Sequence, residues 1–226
     1  MGGSKATTRR RWVIAAAAGL VVVGAATWYH AYIRAVLFPP LAPPAPTAQE
    51  KARWAKPMKV DELENFYKVD DHLYRGAQPD AAGMRKLREM GVKTVVNLRL
   101  AHDDTDEIGQ LDLDGVHIRI DAFRPEIDAL VEFLVVATDP NRQPVFVHCQ
   151  RGIDRTGIAV AVYRVIACGW TKMEALKEMF HGPFGYDHVF PNVPAFLDRL
   201  DFDDLRRRLA ERHSASTAET QKRREQ

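Results

Sequence analysis

The chain has 226 residues, enough for one ordinary domain with a buried core, and 46% of them are apolar. Its 32 basic and 30 acidic residues leave a formal net charge of +2, which argues against nucleic acid as a partner. The two cysteines, Cys149 and Cys168, exclude a disulfide framework and a cysteine-rich zinc site.

Residues 1–11 carry Lys5, Arg9, Arg10 and Arg11, and an apolar run then extends from Trp12 to about Ile33, interrupted only by His30. Roughly 20 apolar residues span a bilayer, so a single transmembrane helix is expected within 12–38. Trp28, Tyr29 and Tyr32 suit an interfacial belt, and Arg34 can snorkel at the far end. The stretch from Thr8 to Val13 resembles a twin-arginine export signal, so cleavage after export is the alternative. The run is longer than a signal core and lacks a clean small-x-small site, which favours an uncleaved anchor. Basic residues ahead of the span place the N-terminus in the cytoplasm and the rest of the chain outside.

A proline-rich linker is expected over 39–56, an extended spacer between membrane and domain. The folded domain is expected over 57–210 and a charged, disordered tail over 211–226. Within the domain the pattern predicts strands at 73–75, 92–98, 116–120 and 144–148. Helices are expected at 81–90, 125–138, 156–167, 172–180 and 195–210. Alternating strands and helices indicate an α/β fold with a small, mainly parallel central sheet flanked by helices. A helix from 156 to 168 would hold the two sulfurs beyond disulfide reach, so Cys168 reads as a small core residue.

The chemistry is concentrated at residues 148–157, His-Cys-Gln-Arg-Gly-Ile-Asp-Arg-Thr-Gly. A strand ending at a cysteine, a short turn and a helix beginning at Arg-Thr-Gly make a phosphate site. Backbone N–H groups of Gln150, Arg151, Gly152, Ile153, Asp154 and Arg155 can point inward as an anion nest, with a helix N-terminus behind them. The same field stabilises a Cys149 thiolate. Gly152 permits the turn, Arg155 can grip two phosphoryl oxygens and their developing charge, and Thr156 can hydrogen-bond the thiolate as it departs. His148 reads as a residue that orients the loop.

This segment is similar to the signature of the protein tyrosine and dual-specificity phosphatase superfamily. Upstream, residues 73–79 (Leu-Tyr-Arg-Gly-Ala-Gln-Pro) and 94–99 (Thr-Val-Val-Asn-Leu-Arg) resemble bacterial dual-specificity phosphatases and their plant and fungal atypical relatives. The resemblance covers about 59–209. It implies the cysteine-phosphatase fold, a phosphocysteine intermediate hydrolysed by water, and no metal or cofactor. It also implies an aspartate general acid on a loop ahead of the nucleophile's strand, because an alkoxide or phenoxide leaves poorly without a proton. Asp121 occupies such a position, and Asp154, inside the loop, is its rival. Asp103, Asp104 and Asp106 read as a solvated polar edge, while Arg124 and Arg151 can draw an anion in.

Relatives acting on phosphoinositides commonly carry lysines in the loop. Gln150 and Ile153 stand at its variable positions, so phosphotyrosine or phosphoserine/threonine in proteins is the expected substrate. Inositol phosphates, pyrophosphates and phosphoinositides are the alternative. A rhodanese loop is one residue shorter before its arginine, whereas five residues separate Cys149 from Arg155. A third reading is a membrane-anchored module that binds phosphate without turnover.

Overall fold

Phe146 and Val95 face one side of a sheet while Val145, Val147 and Val96 face the other, and all five are buried. Strands covered on both faces read as largely apolar runs: Val-Phe-Val in β6 (Val145–His148) and Val95-Val96 in β4 (Thr94–Asn97), which begins and ends on buried polar residues. The computed structural model describes residues 42–186 and 192–224. Among these residues the sheet has six strands in the order β1-β2-β3-β6-β4-β5. β1 (Lys56–Pro57) and β2 (Tyr67–Lys68) form an antiparallel edge, and β3 (Leu73–Gly76), β6, β4 and β5 (Asp114–His117) run parallel.

The parallel register brings Gly76 level with His148, His148 with Asn97, and Asn97 with His117. Four strand C-termini therefore share one row at one end of the sheet. In open α/β sheets, ligands bind outside these carboxyl ends.

Two layers cover the faces. On one, α2 (Ala81–Glu89) packs Met84 and Leu87 against Leu63, Phe66, Val95 and Phe146. Asp80 caps α2 by accepting from the N–H groups of Ala82 and Gly83 at 2.9 and 2.8 Å, and Gly91 ends the turn at φ 85°. The short α3 (Thr105–Ile108) follows β4. Against the other face lie α4 (Ile127–Ala137), α5 (Asp154–Ile166), α6 (Lys172–His181), α7 (Asn192–Arg199) and α8 (Phe202–Arg224). Eleven of the thirteen residues of α5 are buried, so it is the central helix of this layer.

Several expectations change. The strand expected at 116–120 is a ladder over Asp114–His117, and Ile118 and Ile120 continue it as buried but largely unpaired chain. The helix expected at 195–210 is two helices, because the Asp201 carboxylate accepts from the N–H groups of Asp203 and Asp204 and starts α8 anew. α8 then runs to Arg224 through the segment expected to be a disordered tail. Glutamate, alanine, arginine and lysine without proline or glycine favour a helix even where no apolar stripe exists.

The described part of the linker is not a free spacer. α1 (Ala48–Ala52) starts at a Thr47/Glu50 capping box and docks on α6. Glu50 pairs with Lys177 at 2.7 Å, Arg53 with Glu174 at 2.5 Å, and the Ala55 N–H donates to Glu178 Oε1 at 2.7 Å. The membrane span expected at 12–38 and the basic segment before it lie outside the described residues. No described helix is long and apolar enough to cross a membrane.

Candidate active site

The turn from β6 into α5 begins at Cys149, whose side chain sits almost fully buried. Its loop keeps its N–H groups inward because its carbonyls are held outward. Gln150 O accepts from Gln78 N–H at 3.1 Å, Arg151 O from Asn65 Nδ2 at 2.9 Å and Gly152 O from Arg75 Nη2 at 2.8 Å. Three donors, from β3, the turn after it and the loop before β2, thus turn three successive peptide units the same way. Such a run of inward N–H groups is an anion nest.

Gly152 makes the geometry possible. Its φ is +71°, and a Cβ there would lie 2.3 Å from Gly76 O. Gly76 in turn leaves room for the Phe146 ring. Neither contact was legible from loop spacing alone.

α5 starts at Asp154 with no side-chain cap, so its first N–H groups are available to an anion. Burial pushes the Cys149 thiol up, but hydrogen bonds from the Thr156 hydroxyl and N–H, the Arg155 charge and the Gly152 N–H outweigh it and hold the thiol below its usual value. Thr156 Oγ1 is buried with no other partner among the described residues, which leaves it to the sulfur. Cys168 is the contrast: burial pushes its thiol up to about 11, so it stays a neutral thiol beside Asp70 at 3.5 Å.

A second cation lies beneath the loop. Arg75 is 1% exposed, stacked with its guanidinium carbon 3.8 Å from the Phe184 ring centre. Burial pulls its guanidinium down to about 10, against the opposing pull of Glu178 and Cys149, so it stays charged at neutral pH. The sequence signal was present, since Arg75 lies inside the Leu-Tyr-Arg-Gly-Ala-Gln-Pro segment, but a strand arginine was not assigned to the site.

Residues predicted from the sequence distribute unevenly. Cys149, Gln150, Arg151, Gly152, Ile153, Asp154, Arg155 and Thr156 form the continuous loop and first turn of α5. Asp154 is buried and paired with the exposed Arg151 at 3.3 Å. Asp121 lies on the loop between β5 and α4, half-buried, with Oδ1 accepting from the Phe123 N–H at 2.9 Å. Arg124 is exposed on the same loop.

Asp103 and Asp106 are exposed as expected, but Asp104 is not a solvated edge. It is buried and accepts from Gln78 and Asn97, and its Oδ2 lies 2.8 Å from His148 Nε2. Burial pushes the Asp104 carboxyl up, yet the His148 contact and the Gln78 hydrogen bond outweigh this and hold it below its usual value. Its polar neighbours Asp103, Thr105 and Asp106 hid it. His102, Asp104 and Glu107 bring potential ligand atoms within 4.8 Å of one another. These atoms are engaged internally, His102 with Glu107 at 3.0 Å and Asp104 with His148.

The family model described as DSP-PTPase phosphatase fused to NAD+ kinase matches residues 46–183. Dual specificity protein phosphatase TpbA of Pseudomonas aeruginosa is 33% identical over 172 residues, which cover 76% of this chain and 78% of that protein. A crystal structure of TpbA aligns with a TM-score of 0.63 over 70% of this chain and 97% of that one, at 33% identity. A second TpbA structure, in complex with pTyr, aligns with a TM-score of 0.62 over 70% of this chain and 96% of that one, also at 33% identity. Inositol diphosphatase DSP3 of Arabidopsis thaliana is 25% identical over 125 residues, 50% of this chain and 60% of that protein.

Proposed function

The chain belongs to the dual-specificity protein tyrosine phosphatase superfamily and is a phosphatase, and from that premise we propose that it hydrolyses phosphate monoesters on proteins through a phosphocysteine at Cys149. The observation that carries the mechanism is the lowered Cys149 thiol at the floor of a nest whose carbonyls are tied outward. A thiolate there attacks phosphorus while the nest N–H groups and Arg155 bind the equatorial oxygens. Charge gathers on those oxygens in the transition state, where fixed donors stabilise it most.

Asp121 delivers the proton to the leaving oxygen. It is preferred over Asp154, which is already committed to Arg151 and buried at the start of α5. Water then attacks the phosphocysteine, Asp121 takes its proton, and the Thr156 hydroxyl stabilises the departing thiolate.

Phosphotyrosine in proteins is the first substrate reading, supported by the TpbA complex with pTyr. The loop adds only Arg151 to its charge, and Asp154 offsets it. The similarity to an inositol diphosphatase supports inositol phosphates as the second reading. The apolar run from Trp12 to about Ile33 supports a membrane tether, and the basic residues ahead of it support a domain outside the cytoplasm; a reporter fused after Arg212 that signals from the cytoplasm would refute this topology.

Turnover of a phosphotyrosine peptide and of an inositol pyrophosphate by the full chain separates the substrates. Higher kcat/KM on the inositol compound overturns the protein reading. Cys149→Ser should abolish turnover, and retained activity would sink the mechanism; a wild-type chain that binds a phosphotyrosine peptide without hydrolysing it would instead leave a phosphate-binding module. Asp121→Asn should slow poor leaving groups by about 10²- to 10⁴-fold and p-nitrophenol less, whereas Asp154→Asn should be milder.

A further inference from the structure

Asp104 connects three strand ends under the nucleophile. Its Oδ1 accepts from Gln78 Nε2 and Asn97 Nδ2, both at 2.8 Å, and its Oδ2 lies 2.8 Å from His148 Nε2. Gln78 follows β3, Asn97 ends β4, and His148 ends β6 immediately before Cys149. Gln78 also places its own N–H on Gln150 O, and Arg99 Nη1 meets Gln78 Oε1 at 3.3 Å.

What lies on the other side of the imidazole gives this knot a role in the reaction. His148 is fully buried and stacked on Phe146, with ring centroids 5.5 Å apart. Its Nδ1 lies 3.2 Å from the Cys149 carbonyl oxygen. A carboxylate oxygen and a carbonyl oxygen only accept, so each ring nitrogen faces an acceptor. The Cys149 carbonyl thereby joins those of Gln150, Arg151 and Gly152, each held by a donor outside the nest.

We propose that Asp104 is a positioning residue for the Cys149 nucleophile: it holds His148 as a double hydrogen-bond donor, and His148 fixes the Cys149 peptide so that the sulfur faces the nest. This rests on Cys149 being the nucleophile. Removing the Asp104 charge leaves His148 with a single obligatory acceptor, and the cysteine peptide loses its tie. Charged groups near the pair include His102 with its partner Glu107 and Arg99 behind Gln78, while Arg155 and Arg75 act on the Cys149 sulfur. None of them belongs to the residues to be changed.

The test uses the full chain labelled with nitrogen-15, with the His148 ring signals assigned by their loss in His148→Gln. Wild type at pH 7 should show both His148 ring nitrogens protonated, and a neutral single-tautomer ring overturns the proposal without any variant at Asp104. In Asp104→Asn, the pH profile of Cys149 alkylation by iodoacetamide, corrected with Cys149→Ser for Cys168, should move up by about one unit. At a pH well below the wild-type midpoint, that makes alkylation about tenfold slower. With p-nitrophenyl phosphate, kcat should fall while KM stays within about twofold. A folded Asp104→Asn protein with the wild-type alkylation profile and kcat also overturns it. Turnover surviving in Cys149→Ser would instead remove the underlying mechanism while leaving the ring signals as expected, so the two failures are distinguishable.

Discussion

Gly152→Ala tests whether the nest depends on close backbone approach. At φ +71° an alanine bears left-handed strain of about 1–2 kcal/mol. Its Cβ would also stand 2.3 Å from Gly76 O, 2.4 Å from Gly76 C and 2.8 Å from Ala77 N. These are backbone atoms at the end of β3 and cannot rotate away, so the loop must move. Movement breaks the 2.8 Å bond from Arg75 to Gly152 O and leaves a buried guanidinium short of an acceptor. A hydrogen bond from a charged group contributes about 1.5–3 kcal/mol, so the total loss should be about 2.5–5 kcal/mol. A displacement of about 1 Å at a reacting centre lowers rate by about 10²-fold. Gly169→Ala is the internal control, because φ is +69° there but nothing lies within 4 Å of the added carbon. Urea denaturation and kcat/KM with p-nitrophenyl phosphate read both variants. If Gly152→Ala keeps wild-type kcat/KM and is no less stable than Gly169→Ala, the close-approach reasoning is wrong.

Thr156→Val should raise the Cys149 thiol and slow breakdown of the phosphocysteine, seen as a larger burst and a lower steady-state rate in stopped-flow. Because the folded thiol lies below its ordinary 9.0, the folded state binds fewer protons than the unfolded chain in that window. The thiolate's contribution to stability is therefore full above 9.0 and is lost as pH falls through the folded value. The stability difference between wild type and Cys149→Ser, followed by urea denaturation, should rise with pH up to that limit. Glu178→Ala should cost about 3–5 kcal/mol, because it strands the buried Arg164, which Glu178 holds through two 2.9 Å bonds, and removes the acceptor of the Ala55 N–H. A fragment starting at Pro57 should melt lower than one starting at Ala42, since it exposes the surface that Trp54 covers; burying one large apolar side chain contributes about 1.5–3 kcal/mol. Equal melting temperatures would mean that α1 and Trp54 do not stabilise the domain.

The loop could be read because its constraints are local. Cysteine, glycine, arginine, threonine and glycine at fixed offsets, after a valine-rich strand and before a helix, describe nearly every atom that forms the nest. The central strands could be read for the same reason: the valine-rich 92–98 and the apolar run at 145–147 have few alternatives to a covered sheet. The residues that tie the loop down are non-local. Asn65, Arg75 and Gln78 reach it from 72 to 86 positions earlier in sequence, and no periodicity marks a residue whose task is to hold a distant carbonyl.

Asp104 shows the limit most sharply. Flanked by Asp103, Thr105 and Asp106, it has the local signature of a solvated turn, and composition gives no reason to bury it. Its burial follows from topology: β4 ends level with β6, so the turn after β4 folds over the residue before Cys149. A carboxylate placed there has three donors from three strands and can leave water. In the proposed mechanism Cys149 is thus set by two kinds of residue, a contiguous loop that makes the anion field and a dispersed set that orients it. Substitutions in the dispersed set should alter the thiol and the rate without touching any group that contacts phosphate.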